Sequence, residues 1–374
     1  MPSPRESWFA RAGLMAVALV IAGASLARAQ VTPTPPDYPR GKISGYIFAD
    51  YYGNLAGNPT HHYNAAGQDS DKVNIDNASA TQIGRDLNGV QIRRVYFQLD
   101  NDLSVKYSTR VRLEIDGKSL TSDGKIGANV KAAYMLAKSM IPRGDFYLGM
   151  LSTPTWENAE DFWQYRSIEK TIADFRGIGS AADLGVELKG AFDPDHRFNY
   201  SAMIGNGVGQ KTEDNRYKKF YLALPAKIRD FRVEPYVDYE NAYQAHDHAT
   251  YKMFVGYEHR LGAMGVELID RVNHNPGAAN QEPRGYSVFV RSNPRPTFGG
   301  FARFDAWDPD RRLTNRVTSQ LWMVGVDWQP IKDVHFMPNL EATQYDAKGT
   351  AVAPAFHDLQ ARFTVYYRFS RPQS

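Results

Sequence analysis

The chain has 374 residues, with 44 Lys and Arg against 41 Asp and Glu, and no cysteine. A formal charge of +3 suggests no nucleic-acid partner, and the lack of cysteine removes disulfide and thiol chemistry. A negative mean hydropathy excludes a bundle of membrane helices but not a barrel, where only every second strand residue meets lipid.

Arg5 and Arg11 precede an apolar run from Ala12 to Leu26, and Ala27-Arg28-Ala29 is an A-x-A site. Residues 1–29 therefore read as a signal peptide cleaved before Gln30. A membrane anchor is the other reading, but the run is short and holds small residues. No later stretch approaches the ~20 apolar residues of a membrane helix. Residues 30–41, Pro-rich from Val31 to Pro39, form an irregular lead-in.

The stretch from Val90 to Asp116 sets the pattern for the rest of the chain. Leu103, Val105, Tyr107, Thr109, Val111, Leu113 and Ile115 alternate with Ser104, Lys106, Ser108, Arg110, Arg112, Glu114 and Asp116. Period two makes this a strand with one apolar and one charged face. Val95, Phe97 and Leu99 alternate likewise with Arg94, Tyr96 and Gln98, and Asp100-Asn101-Asp102 reads as the turn between them. Soluble strands have about 5–6 residues, whereas a tilted membrane-crossing strand needs about 9–11. Lipid outside and water inside a closed barrel would satisfy both faces.

Sixteen candidate strands come after the lead-in, over 42–52, 90–100, 103–116, 128–138, 145–151, 183–192, 197–205, 217–228, 231–241, 250–260, 263–273, 285–292, 297–307, 317–328, 333–346 and 356–369. Every second connection is short and rich in turn formers, such as Asp193-Pro194-Asp195 and Gln329-Pro330. The others are long and polar: 53–89, 117–127, 152–182, 206–216, 242–249, 274–284, 308–316 and 347–355. This segregation is the signature of an all-β, closed antiparallel transmembrane barrel of about 16 strands over 42–369, with short periplasmic turns and long outer loops. Trp322 and Trp328 at the two ends of one apolar face suit interfacial girdles.

The hairpin Arg93-Arg94-Val95-Tyr96-Phe97 through Arg110-Val111-Arg112-Leu113-Glu114 resembles Gram-negative outer-membrane porins, and is similar to the phosphate-selective porin-like family. The resemblance implies an outer-membrane homotrimer in contact with lipid, a long third loop folded into the lumen, and a final strand ending in an aromatic. Phe369 matches that ending, and residues 370–374 extend beyond it as a tail. The function expected is general or weakly anion-favouring passive diffusion of small hydrophilic solutes: the basic wall and the resemblance favour anions, and the acidic third loop and near-neutral charge oppose them. The alternatives are a phosphate- or sugar-selective channel, with Tyr46, Tyr96, Tyr134, Tyr236 and Trp307 as a stacking track, or a secreted carbohydrate-binding β protein.

The third long connection, Ser152 to Ala182, exceeds a passive rim loop. Thr153 can cap a short helix with Pro154 at its first position. Trp156, Ala159 and Trp163 then share one face. The segment carries Glu157, Glu160, Asp161, Glu169 and Asp174 against Arg166, Lys170 and Arg176. The reading is that it folds inward and narrows the pore, its aromatic face on the wall and its acids opposite wall cations Arg94, Lys106, Arg110, Arg112 and Lys131. Opposed charges across a wet gap would orient dipolar solutes. The other reading is an external loop whose charges are merely solvated. Arg93 falls on the apolar parity of its strand and is placed at the rim.

No catalytic arrangement stands out: there is no G-x-S-x-G, Walker loop or H-E-x-x-H. Asn206-Gly207 and Gly209 read as a loop. His61-His62 and His246-Asp247-His248 fall in long loops, with no third and fourth ligand at a usual spacing, so neither a metal nor a cofactor is expected.

Overall fold

The computed structural model describes residues 38–75, 81–121, 125–294 and 297–372. The signal peptide, most of the lead-in and residues 373–374 lie outside them, as do parts of the connections over 53–89 and 117–127 and Arg295-Pro296 of one turn.

Sixteen antiparallel strands close into a barrel: β1 (Arg40–Ala56), β2 (Asn88–Asp102), β3 (Tyr107–Leu120), β4 (Ile126–Ile141), β5 (Gly144–Ser152), β6 (Ala182–Ala191), β7 (Asn199–Gly205), β8 (Lys219–Ala223 and Ala226–Ile228), β9 (Phe231–Glu240), β10 (His248–His259), β11 (Gly262–Asn273), β12 (Arg284–Ser292), β13 (Phe298–Asp308), β14 (Arg316–Ile331), β15 (Val334–Lys348) and β16 (Asp358–Pro372). The two pieces of β8 both pair with β9, because Pro225 lacks the N–H that an unbroken ladder needs. β1 is bonded on both sides, with Tyr46 opposite Tyr96 of β2 and Arg368 of β16. Closure leaves no open edge among the described strands.

The polarity of the barrel is inverted relative to a water-soluble domain. On β14, Trp322, Val324, Val326 and Trp328 point outward and are 43–53% exposed. Asp50, Glu114, Glu187, Lys252, Glu267, Asp305, Glu341 and Arg362 point inward and are buried. An exposed apolar band of this extent matches lipid. Phe298, Trp328, Phe336 and Phe363 form one row of outer ring contacts, with centroids 5.3–6.3 Å apart. Tyr286, Phe304 and Trp322 form a second. Trp322 and Trp328 are separated by about 20 Å of strand, so the two rows lie at different depths.

Three boundaries differ from the sequence reading. The β2–β3 turn is Leu103–Lys106, not Asp100–Asp102. Asp100 is held across the ladder by Arg110 (2.6 Å) and Asp102 by Lys138 (2.8 Å), so the strand continues through them. Ser104 closes the turn instead, its Oγ accepting from the N–H groups of Lys106 and Tyr107. The last strand runs past Phe369, with Ser370 and Arg371 pairing with Ser44 and Ile43, so the tail begins inside the sheet. Third, Arg93 is not at the rim. The β1–β2 register slips between Phe48/Arg94 and Ala49/Ile92, which makes Arg93 the extra residue of a β-bulge. Arg93 and Arg94 consequently both point into the barrel, with Ile92 left on the outer face.

Candidate pore constriction

The segment between β5 and β6 lies inside the barrel. It contains two short helices, α1 (Glu157–Trp163) and α2 (Ile172–Phe175). Thr153 does not cap α1; its hydroxyl donates to the Ser180 carbonyl (2.6 Å) and ties the two ends of the segment together. The buried face of α1 is Ala159, Phe162 and Trp163. Trp156 instead remains at the margin, its indole N–H on the Ala181 carbonyl (3.0 Å).

Phe162 and Trp163 dock on an apolar part of the inner wall. Phe162 meets Phe254 of β10 edge-on at 5.4 Å, Trp163 meets Phe289 of β12 at 5.0 Å, and Tyr165 lies 4.3 Å from Phe301 of β13. Two glycines make room for these rings. A Cβ on Gly256 would stand 2.7 Å from the Phe162 ring, and one on Gly265 would stand 2.3 Å from Phe289. Aromatic pairs of this geometry add about 0.5–1.5 kcal/mol each beyond area burial.

Arginines from five strands then fasten the segment's backbone. Arg291 donates to the Phe162 carbonyl (3.0 Å), Arg362 to Ile168 (3.3 Å), Arg271 to Ile178 (2.5 Å), Arg303 to Lys170, and Arg93 to Ser167 (3.3 Å) and Ile168. A loop enclosed in a barrel has few intrinsic partners for its carbonyls, and guanidinium groups supply the missing donors. Arg93 also pairs with Glu169 at 2.8 Å, and Lys189 of β6 with Glu157 at 2.7 Å.

The candidate residues now divide. Glu160 pairs with Arg166 (3.1 Å) and Asp174 with Lys170 (2.9 Å), so these four charges are matched within the segment and do not pair with the wall. On the opposite wall, Arg94 pairs with Asp116 and Glu114, and Lys131 with Glu114 at 3.2 Å. Arg110 pairs with Asp100 and lies over the Tyr134 ring at 5.7 Å. Arg112 donates to the neutral Gln98 (2.6 Å) and lies over Tyr96, with no carboxylate in ion-pair contact among the described residues. Of the wall cations, Lys131 lies within electrostatic reach of Glu160, Lys170 and Asp174 of the segment. Arg176 stacks on Phe175 and Trp307. Asp161 is exposed. Lys106 is on the β2–β3 turn, exposed at the rim and outside the lumen, because the strand that would have carried it starts at Tyr107.

The sequence reading missed Arg93, Arg271, Arg291, Arg303, Arg362 and Lys189. The last five have inward parity on their strands and could have been found by tallying inward cations on every strand. Arg93 could not, because the bulge shifts parity. His61 is the other difference. A hairpin in the first loop brings Asp69 and Asp71 back to it, at 3.5 and 3.0 Å.

No protein-family model and no curated protein matches the sequence. Among solved structures, the chain shares its fold with outer-membrane channels. It is similar to the outer membrane channel DcaP of Acinetobacter baumannii, with a TM-score of 0.62 and 12% identity over 90% of this chain and 99% of that one. An anion-selective porin from Comamonas acidovorans matches with a TM-score of 0.61 and 12% identity, over 88% and 100%. OmpT of Vibrio cholerae in its trimer form matches with a TM-score of 0.55 and 11% identity, over 89% and 100%. The fold is therefore that of the outer-membrane porins.

Proposed function

We propose that the protein is an outer-membrane porin for passive diffusion of small hydrophilic solutes, with a weak preference for anions. It would be exported by its signal peptide to the outer membrane of a Gram-negative bacterium. A sixteen-stranded barrel is wide enough to leave an aqueous channel. The segment from β5 to β6 crosses that channel and sets its narrowest part. A homotrimer fits the reading, given the trimer form of OmpT, and part of the apolar band would then meet neighbouring subunits.

The observation that carries the anion preference is Arg112. The other cations at the gap, Arg94, Arg110, Lys131, Arg166 and Lys170, each have a carboxylate partner. Glu169 and Glu157 of the segment pair with Arg93 and Lys189, which they share with Asp50 and Glu187 of the wall. One unneutralised guanidinium in a narrow wet gap biases the potential slightly positive. A dedicated phosphate channel would want several unpaired cations converging on one point, which this gap lacks among the described residues.

The test is a planar bilayer with purified protein under a KCl gradient, with phosphate added afterwards. Steady ohmic conductance with a small anion-signed reversal potential is expected. A strong anion potential with block by low phosphate would replace this reading with a phosphate channel, and no conductance would end it.

A second reading has one observation in its favour. Tyr46 packs at a tilt against Tyr96 (4.5 Å) and meets Tyr366 (6.0 Å), which meets His335 (5.1 Å), a continuous row of rings on the inner face. Sugar faces stack on such rows. Tyr134, Tyr236 and Trp307 do not extend it: Tyr134 packs on Tyr147, Tyr236 is bonded to Thr155, and Trp307 lies under Arg176. Conductance block by neutral oligosaccharides, lost in Tyr46→Ala, would favour this reading.

A further inference from the structure

The first outer loop contains a hairpin between Thr60 and Lys72. Asn64 turns it: its carbonyl accepts from Gly67 N–H and its side chain from the N–H groups of Ala66 and Gln68. Gly67 takes the left-handed conformation at φ +74°. Tyr63 pairs with Asp69 as an antiparallel bridge, and Ser70 N–H bonds the His62 carbonyl at 2.8 Å. That register sets His61 opposite Asp71, and Asp69 lies two residues before Asp71 on the same face. Two residues far apart in spacing terms thus return to the histidine.

The hairpin also fixes how each carboxylate points. Asp69 Oδ1 accepts from the Asp71 N–H at 2.8 Å. Asp71 Oδ1 accepts from the His62 N–H at 3.1 Å and lies 2.7 Å from His62 Nδ1. Both Oδ2 atoms are left facing His61 Nδ1, at 3.5 and 3.0 Å. A tetrahedral ion with bonds of about 2.0–2.1 Å places its ligand atoms roughly 3.3 Å apart, and the two distances straddle that value. The Asp71 side chain is 6% exposed, so the charge is held at the base of the hairpin.

We propose that His61, Asp69 and Asp71 form a binding site for a divalent transition-metal ion of the Zn²⁺ type, with His62 as a positioning residue for Asp71. One imidazole nitrogen and two carboxylate oxygens suit Zn²⁺, and affinity for such donors rises toward the end of the first transition row. Ca²⁺ requires six to eight oxygens, which this hairpin does not gather. Asp71 and His62 also line a cleft of about 620 Å³ between the first and last outer loops, with Asn58, Gln82 and Val352. The base of the loop is already fastened to the barrel, where Asn54 donates to the Val73 and Gly84 carbonyls (2.9 and 2.8 Å). Metal would clip the remaining free end of the loop at the channel mouth.

The test is titration of the full mature chain, folded in detergent and free of any histidine tag, with Zn²⁺ against a chromophoric chelator, and with Co²⁺ by absorbance. One Zn²⁺ per chain is expected, with tetrahedral Co²⁺ bands, no competition by Ca²⁺, and no change in His246→Ala or His274→Ala. His61→Ala and Asp71→Asn should each weaken binding about tenfold or more, since even outer partners of a metal ligand are worth 10–100-fold. Heat-modifiable migration on a gel shows that each variant is folded, and Asp69→Asn serves if Asp71→Asn is not. Binding that survives His61→Ala and Asp69→Asn, binding that depends on His246 or His274 instead, or no binding at all would overturn the assignment.

Discussion

The inner wall has two unlike sides. From β2 to β4 it presents Arg94, Arg110, Arg112, Glu114, Asp116 and Lys131, a charged surface facing the gap. From β10 to β14 it presents Phe254, Ala263, Phe289, Phe301, Leu321 and Met323, a buried apolar cluster under the inward segment. Both sides are on the same parity of their strands, so an inward position is not polar as a rule. Under the segment, apolar positions such as Phe289 alternate with buried arginines, Arg291 and Arg303, that hold its carbonyls, whereas the wall facing the gap carries charges of both signs. The apolar patch on this wall is the docking surface of the inward segment.

The largest effect should come from releasing that dock. Trp163 is fully buried, and removing such a side chain costs about 3–5 kcal/mol. Phe162→Ala combined with Trp163→Ala should free the segment, raise single-channel conductance severalfold and add slow switching between levels. Trp163→Phe should keep conductance near the parent value. An unchanged conductance in the double variant would show that the segment does not set the narrowest part.

The next effect concerns the bulge. Arg93→Ala removes the partner of Asp50 and Glu169. Breaking one partner out of a buried pair costs about 3–5 kcal/mol, and water in the lumen reduces that. A lower unfolding temperature and a shift toward cation selectivity are expected together. Lys189→Ala, which leaves Glu157 and the buried Glu187 without their partner, should shift selectivity the same way.

Arg112→Glu tests the charged side alone. It touches no part of the dock, so conductance should change little while the reversal potential turns toward cations. In about 1 M salt the Debye length falls to about 3 Å, and the difference from the parent should shrink. If it does not, the change acts by sterics and not by charge.

The same two sides explain how much was legible in the sequence. Period-two alternation exposed all sixteen strands, because the outward face repeats an apolar residue wherever lipid lies. The alternation of short turns and long loops marked the two rims of the barrel. The dock was hidden, since Phe289 between Val288 and Val290 makes a uniformly apolar run with no parity to read. The bulge at Arg93 was hidden for the opposite reason: parity was clear and then slipped by one. The inward segment was legible as an amphipathic acidic stretch, but its charge balance was not. Glu157 and Glu169 pair with Lys189 and Arg93, which lie 32 and 76 residues away in the chain.

The smallest effect should lie in the exposed loops, which have no dock at all. The connection between β11 and β12 is tied to the next outer loop by Glu282, which accepts from Arg311 (2.7 Å) and Arg312 (2.9 Å). Hydrogen bonds from Arg312 and then Arg311 hold its carboxyl below the usual range. A depressed carboxyl stabilises above its unfolded value of about 4.3 and loses that contribution as pH falls through its folded value. The clamp should therefore be intact at neutral pH and open in acid. Exposed pairs are worth little and are screened by salt, so the global unfolding temperature should not register it. Limited proteolysis within 309–315 should register it: Glu282→Gln at neutral pH should cleave as fast as the parent does in acid, using a protease active at both values. Equal cleavage of parent and variant at neutral pH would mean that backbone contacts, such as Arg311 N–H to the Glu282 carbonyl (3.1 Å), hold these loops without the charges.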